Sequence, residues 1–218
     1  MKALSIFGAL ALTGVSLAAA DFYLKPGAAD FTVSASYTTD EAGTIEADRV
    51  PGTEDVVILP AAVFEVNGAS ASFAVLSAVQ QIKPRSGAKL VVTVASGVSR
   101  LVAPYSVLSG ASERLYGTLV KKGAGELVLG PADTELSSSG DAYRYAVNAE
   151  VAEGTLRYPE NITVNEYGGS LAVSNGATVF LPKSPANASM IVFNPLASHR
   201  LTRKHSGFHD WHLLCGGG

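Results

Sequence analysis

The sequence predicts an all-β fold, and within that class a solenoid of stacked coils, with a β-sandwich as the alternative. Apolar residues mostly alternate with polar ones or form short β-branched runs bounded by Gly, Pro, Asn or Ser, a pattern typical of strands joined by tight turns. Helix signals are weak, and only residues 69–82 have a mixed pattern that fits neither state. The segments that predict strands are 54–60, 88–97, 125–130, 142–151, 154–159, 161–169 and 169–182.

A recurring Gly-x-Leu element favours the solenoid over the sandwich. Glycine adopts positive φ without steric cost, so it suits the corner where a coil turns from one face to the next. The leucine two residues later can then point inward. In a solenoid each coil buries its apolar face only against its neighbours, so a repeated corner element is expected. The element occurs at Gly117-Thr-Leu119, Gly125-Glu-Leu127, Gly154-Thr-Leu156 and Gly169-Ser-Leu171.

The first twenty residues have the three-part layout of a secretory signal peptide. Lys2 gives a basic start, residues 3–17 form an apolar run, and the small residues Ala18 and Ala20 predict cleavage before Asp21. The run is shorter than the roughly 20 residues that a membrane-spanning helix needs. We therefore expect a secreted, cell-surface or outer-membrane-associated protein that has no membrane span once the signal is removed.

Composition limits the chemistry of the remaining chain. Of the 218 residues, 47% are apolar and 16% are charged, which is enough apolar surface to build a core. The only cysteine is Cys215, so an intrachain disulfide is excluded. Residues 21–198 contain twelve Lys and Arg against eighteen Asp and Glu. This acidic balance argues against nucleic acid as a partner, because phosphate binding needs a basic surface.

The chain divides into four regions. Residues 1–20 are the signal peptide, 21–60 are expected to cap the solenoid at its N-terminal end, and 61–198 form its coils. Residues 199–218 form an atypical C-terminal tail that holds every histidine. In this tail His205, His209 and His212 are spaced at i, i+4 and i+7, a weak metal-site candidate, but a flexible tail, a cap over the last coil or residues read in a shifted frame after a truncation explain them better. We predict no metal and no other cofactor.

Residues 21–198 lack the side chains of several catalytic sites. Without histidine or cysteine, a Ser-His-Asp or Cys-His arrangement and a histidine-based zinc site are excluded there. Carboxylate pairs remain, and glycan-cleaving enzymes use two carboxylates, but charge on outward strand positions and turns explains them better. Four tyrosines could form a strip that stacks on sugars, but aromatic residues in strands more often pack against their neighbours. The pairs are Asp133 with Glu135, Glu150 with Glu153, and Glu54 with Asp55; the tyrosines are Tyr143, Tyr145, Tyr158 and Tyr167.

The stretch KKGAGELVLG, residues 121–130, raises the question of a phosphate-binding loop. It has neither the G-x-x-x-x-G-K-[ST] spacing of a P-loop nor the G-x-G-x-x-G spacing of a dinucleotide loop, and a predicted strand follows it in place of a helix. We therefore interpret it as a strand corner. Lys121 and Lys122 are interpreted as a solvated turn that keeps the strand end soluble.

The same stretch resembles the opening of the passenger-associated transport repeat of autotransporter-type bacterial surface proteins. The resemblance covers about residues 115–182, and it implies a right-handed parallel β-helix displayed outside a bacterial cell. The segments "VAEGTLRY" (151–158) and "GGSLAVSNGATVFLP" (168–182) are similar to the second half of that repeat and to the coil that follows it. The motif residues are Lys121, Gly123, Gly125, Leu127, Leu129, Gly154, Leu156, Gly169 and Leu171.

These observations predict a non-enzymatic β-helical segment of a secreted bacterial surface or passenger-type protein, with a structural, display or adhesion role. One alternative is a β-helical enzyme that cleaves glycans with carboxylates, and another is an exported β-sandwich binding domain. The expected partners are a cell-surface glycan or protein ligand. Self-association through an open end of the solenoid is a further candidate interaction.

Overall fold

A computed structural model describes residues 19–105, 117–131, 148–158, 170–174, 176–180, 190–193 and 200–201. The elements are short, as the turn residues between the apolar runs require. They are β1 (Asp21–Leu24), a 3-10 helix (Ser34–Ser36), β2 (Tyr37–Thr38), β3 (Val56–Leu59), β4 (Val63–Asn67), α1 (Ala71–Ala78), β5 (Gln81–Pro84), β6 (Lys89–Thr93), β7 (Val98–Leu101), β8 (Thr118–Lys122), β9 (Glu126–Leu129), β10 (Asn148–Val151), β11 (Thr155–Arg157), β12 (Ser170–Val173), β13 (Thr178–Phe180), β14 (Met190–Phe193) and β15 (Arg200–Leu201).

The strands form three sheets. Sheet A has the order β2-β1-β3-β5, sheet B the order β14-β12-β10-β8-β6-β4, and sheet C the order β15-β13-β11-β9-β7. Every pairing in sheets B and C is parallel, and in sheet A only β1 and β2 are antiparallel. From β6 onward the chain alternates between sheets B and C. We call one strand of sheet B with the following strand of sheet C a pass, and the segment that joins them a B–C corner.

Successive passes stack in register, so equivalent side chains form columns. In sheet B, Phe64 lies beside Leu90, which lies beside Leu119, and all three are buried. In sheet C, Leu127 lies beside Leu156, which lies beside Val179, and these are also buried. Because alternate residues of a strand point to opposite faces, one face of each sheet supplies the core. The described part of the chain thus has one continuous apolar cluster that runs from Phe22 to Val179.

The prediction of an all-β right-handed parallel β-helix, with a β-sandwich as the alternative, is wrong. The fold is mixed α/β, because the parallel sheets are combined with α-helix and with an antiparallel strand pair. Helix α1 lies in the segment whose sequence pattern was mixed. Ser70 caps it by accepting a hydrogen bond from the Phe73 amide at 3.1 Å, and the alanines of ASFAVLSA favour the helical state.

Helix α1 packs against the end of sheet C and hydrogen-bonds to it. Phe73 and Leu76 bury its inner side. The Ser77 hydroxyl donates to the carbonyl of Arg100 at 2.8 Å and accepts from the amide of Val102 at 3.0 Å. These bonds occupy backbone groups at the outer edge of β7, which is the last strand of its sheet. Covering an edge in this way reduces unwanted strand pairing.

Strand pairing extends across the predicted region boundaries. Strands β1 and β3 lie within residues 21–60 and belong to the same sheet as β5. At the other end, Arg200–Leu201 pairs in parallel with β13. The parallel arrangement therefore reaches into residues 199–218, the predicted tail.

Replacing Leu127 by aspartate should lower the free energy of unfolding by several kcal/mol, because an unpaired charge would enter the apolar column of sheet C. Leu127 is fully buried, whereas Val98 on neighbouring β7 is 66% exposed. Val98→Asp is therefore the matched control, and its effect should stay within about 0.5 kcal/mol. Urea unfolding followed by circular dichroism measures both variants. Equal stability of the two variants would contradict the assigned column.

Candidate functional site

Lys121 is the one charged residue with no exposed surface among the described residues, and this makes it the centre of the candidate site. It lies in β8, where the register places it between Val92 of β6 and Val151 of β10. Both valines are buried in the core. The interpretation of Lys121 as part of a solvated turn is thus wrong, while Lys122 is exposed as expected.

The ammonium group of Lys121 is held by backbone carbonyls. Its Nζ donates to the carbonyl oxygen of Lys122 at 2.8 Å, of Gly123 at 2.6 Å and of Glu153 at 3.2 Å. An ammonium has three donors, so each one has an acceptor. Two acceptors lie at the end of β8 and in the corner directly after it, and the third lies in the corner after β10. Lys121 therefore ties two successive passes together.

Two effects act in opposite directions on the pKa of the Lys121 amine. Burial lowers the pKa of the Lys121 amine from its ordinary value of 10.5, while the negative charge of Glu153 acts in the opposite direction. The Glu153 carboxylate also accepts a hydrogen bond from the Gly123 amide at 3.0 Å. Because Lys121 has no exposed surface, its amine holds the corners together and is not placed to meet a ligand.

The motif glycines allow the B–C corners to stack in close contact. A Cβ on Gly154 would lie 2.3 Å from the Gly123 carbonyl oxygen and 2.5 Å from that of Gly125, and a Cβ on Gly123 would lie 2.5 Å from the Val94 carbonyl oxygen. Gly123 and Gly154 also have φ values of 79° and 67°, a region that other residues rarely adopt. Only glycine fits both requirements.

The amides of these glycines already have partners, which answers the question of phosphate binding. Gly125 donates its amide to the Val94 carbonyl at 2.8 Å, and Gly123 donates its amide to Glu153. A phosphate loop needs such amides directed at the ligand. The structure therefore supports the interpretation of residues 121–130 as a strand corner.

Three leucines of the motif line the core. Leu127, Leu129 and Leu156 are each at most 1% exposed. Leu171 lies in β12 opposite Ala149, and Gly169 lies outside the described residues.

Asp55 is a structural carboxylate. It is buried and forms a two-pronged ion pair with Arg49, in which Nη2 lies 2.8 Å from Oδ1. It also accepts hydrogen bonds from the amides of Gly52 at 2.7 Å and Ala20 at 3.0 Å. The hydrogen bond from Arg49 is the main cause that lowers the Asp55 pKa to about 2. This stabilisation is present above the ordinary carboxyl pKa and is lost as the pH falls toward 2. The partner of Asp55 in the predicted pair, Glu54, is exposed.

The other described carboxylate pair does not form a site. Glu150 lies on the outer face of β10 and pairs with Lys89 of β6 at 3.3 Å, across the intervening strand β8. Glu153 lies in the corner after β10, and its carboxylate accepts a hydrogen bond from the Gly123 amide of the preceding corner. The two side chains thus have different surroundings and different structural roles. Asp133 and Glu135 lie outside the described residues.

The remaining candidate residues are either structural or lie outside the described residues. Tyr158 is 2% exposed, and burial raises its pKa; its hydroxyl has no hydrogen-bond partner among the described residues. It is a core residue and not part of a sugar-stacking surface. No group of His, Cys, Asp and Glu in the described ranges could hold a metal ion. Of the predicted cleavage residues, Ala20 and Asp21 are described, and Asp21 begins β1. The candidate residues that lie outside the described residues are Tyr143, Tyr145, Tyr167, His205, His209, His212 and Ala18.

A second cluster, which the sequence interpretation missed, lies on the outer face of sheet C. The Nε of Arg157 donates to Glu126, and its guanidinium carbon lies 4.0 Å from the centre of the Phe180 ring. Arg100 donates from Nη1 to the carbonyls of Gly130 at 3.1 Å and Pro131 at 2.9 Å. The signal in the sequence is that Arg100 and Arg157 are each third in their strand, two residues after the first.

Comparisons of this chain with protein-family models, with curated proteins and with solved structures each found no match. A search of the described helices found none with the length and apolar character needed to span a membrane.

Gly154→Ala should destabilise the protein by about 2 kcal/mol more than Gly176→Ala. Both glycines have positive φ, so both variants have the backbone strain of about 1–2 kcal/mol. Only at position 154 does the new Cβ overlap the preceding corner, since nothing lies within 4 Å of a Cβ on Gly176. Thermal and urea unfolding measure the difference. Equal losses in the two variants would show that corner contact is unimportant.

Lys121→Met should lower the free energy of unfolding at neutral pH by about 1–3 kcal/mol, because it leaves carbonyls without a donor. Lys122→Met is the control at an exposed neighbour and should change stability by about 0.5 kcal/mol or less. Because burial lowers the pKa of Lys121, the cost of its buried charge falls as the pH rises toward 10.5. The deficit of Lys121→Met should therefore grow at alkaline pH. A more stable Lys121→Met protein, or a deficit that does not change with pH, would contradict this account.

Proposed function

We propose that the chain is a non-enzymatic, exported segment of a bacterial surface or passenger-type protein, and that it has a structural, display or adhesion role. The observation that carries this proposal is the use of its chemically capable side chains. Asp55, Lys121 and Glu153 each bind groups of the protein itself. Within the described part of the chain, the outer face of each parallel sheet is the surface that we propose for contact with other molecules.

The outer faces suit extended contact. Parallel strands in register repeat every ~4.8 Å, so each face presents rows of side chains at regular intervals. Repetitive structures of this kind offer long binding surfaces and not closed pockets. A surface with regular rows matches the chemistry of a polymer better than that of a small substrate.

Export and surface location rest on the sequence of residues 1–20. The basic start, the apolar run and the small residues before Asp21 support a cleaved leader. The resemblance to the passenger-associated transport repeat supports a place outside a bacterial cell. Both are proposals for this chain, and protease treatment of intact cells that produce it tests the surface location directly.

Incubation of the mature chain with a panel of plant and bacterial polysaccharides should release no new reducing ends, because the candidate carboxylates Asp55, Glu150 and Glu153 make structural contacts. Reducing-end assays and chromatography of the products measure this. If the parent shows turnover, and Glu150→Gln with Glu153→Gln or Asp133→Asn with Glu135→Gln abolish it without loss of folded protein, then the chain is a carboxylate enzyme and the proposal fails.

A further inference from the structure

The outer face of sheet C has two columns of side chains. The arginine column consists of Arg100, Val128, Arg157 and Phe180, which lie side by side on β7, β9, β11 and β13. The threonine column beside it consists of Val98, Glu126, Thr155 and Thr178. The Arg157 side chain is 40% exposed and Arg100 is exposed. Two guanidinium groups thus reach solvent on a face that also has an aromatic ring and hydroxyl groups.

Both arginines are held in place. The guanidinium of Arg157 lies over the ring of Phe180, and this contact restrains it. Arg100 is fixed by the carbonyls of Gly130 and Pro131 at the end of β9. A guanidinium that is already ordered loses less conformational entropy when it binds an anion.

We infer that this face binds a linear polysaccharide that has carboxylate groups, of the uronic-acid class. The inference rests on the proposed function and names its ligand. Arg100 and Arg157 are separated by one strand, so their backbone positions lie roughly 10 Å apart. A guanidinium binds a carboxylate through paired hydrogen bonds. A polymer with a carboxylate on each unit meets both arginines at once, whereas a single small anion meets only one.

The rest of the face favours a sugar over a nucleic acid. Thr155 and Thr178 are half-buried hydroxyl residues that form a row beside the arginine column, and hydroxyls match the hydroxyls of a sugar chain. The whole chain has a formal net charge of −3, which opposes the dense phosphate charge of nucleic acid. A uronic-acid chain has a lower charge density and pays a smaller repulsion.

Glu126 weakens this site in a way that can be tested. Its carboxylate is bound to Arg157 and competes with an incoming carboxylate for the same guanidinium. Removing the charge of Glu126 should therefore strengthen binding, while removing the charge of either arginine should weaken it. Opposite effects from neighbouring positions cannot arise from a general loss of folding.

The test uses sodium polygalacturonate, and the same polymer with its carboxyl groups reduced to alcohols, titrated calorimetrically into the mature chain. Arg100→Gln and Arg157→Gln should each weaken binding of polygalacturonate by about tenfold or more, as expected for a charge-assisted hydrogen bond, and Glu126→Gln should strengthen it. Arg85→Gln is the matched control: Arg85 follows β5 of sheet A, and its side chain is 44% exposed and pairs with Glu41 at 3.4 Å. It should bind like the parent.

Three results would overturn the inference: no binding of polygalacturonate, equal binding of the reduced polymer, or tighter binding of a single-stranded DNA oligomer. Equal effects of Arg85→Gln and Arg157→Gln would also overturn it, because they would indicate attraction by net charge alone. These failures leave the proposed display role intact if the protein is on the cell surface and shows no turnover. Release of shortened polygalacturonate by the parent would instead refute the proposed function.

Discussion

The close approach of backbone to backbone at the B–C corners is the constraint on which the rest of the structure depends. Gly154 lies so near the carbonyls of Gly123 and Gly125 that a methyl group has no space there. This approach lets Thr155 donate its amide to the Gly125 carbonyl at 3.1 Å and Thr178 to the Gly154 carbonyl at 2.8 Å. The register of sheet C therefore starts at the corners. Each inward column of the core follows from that register, because alternate residues of a strand share a face.

Lys121 shows how a polar group can be placed in such a core. Its stem continues the column between Val92 and Val151, and its ammonium reaches carbonyls of two corners. Burying a charge without partners costs several kcal/mol, and partners of good geometry offset that cost. The Glu153 carbonyl is available to this ammonium only when the passes stack in this register. A buried lysine therefore adds specificity to the stacking, where leucine would add only burial.

The sequence allowed prediction of some strands but not of the others, nor of how the strands combine with other elements. Alternating apolar residues located β6, β9 and β11, and the Gly-x-Leu element located the corners before β9 and β11. The helix α1 was missed because ASFAVLSA is apolar on several sides, so its period is weak, and a single cap at Ser70 determines its start. The burial of Lys121 was missed because lysine is nearly always solvated, and its acceptors come partly from the next pass, which the local sequence does not contain. The pairing of Arg157 with Phe180 was missed for the same reason.

The inner and outer faces of the same strands are therefore under different constraints. Inward positions must fill a column of fixed width, so Leu127 and Leu156 are alike, and the polar exception at Lys121 is fully satisfied. Outward positions have no such limit: Val128 is covered and buried beside Arg157, while Arg157 itself reaches solvent. Because stability is supplied by corners and inner columns, the outer face of sheet C is free to vary in charge and in hydrogen-bonding groups. That is the face on which we propose that this chain binds its ligand.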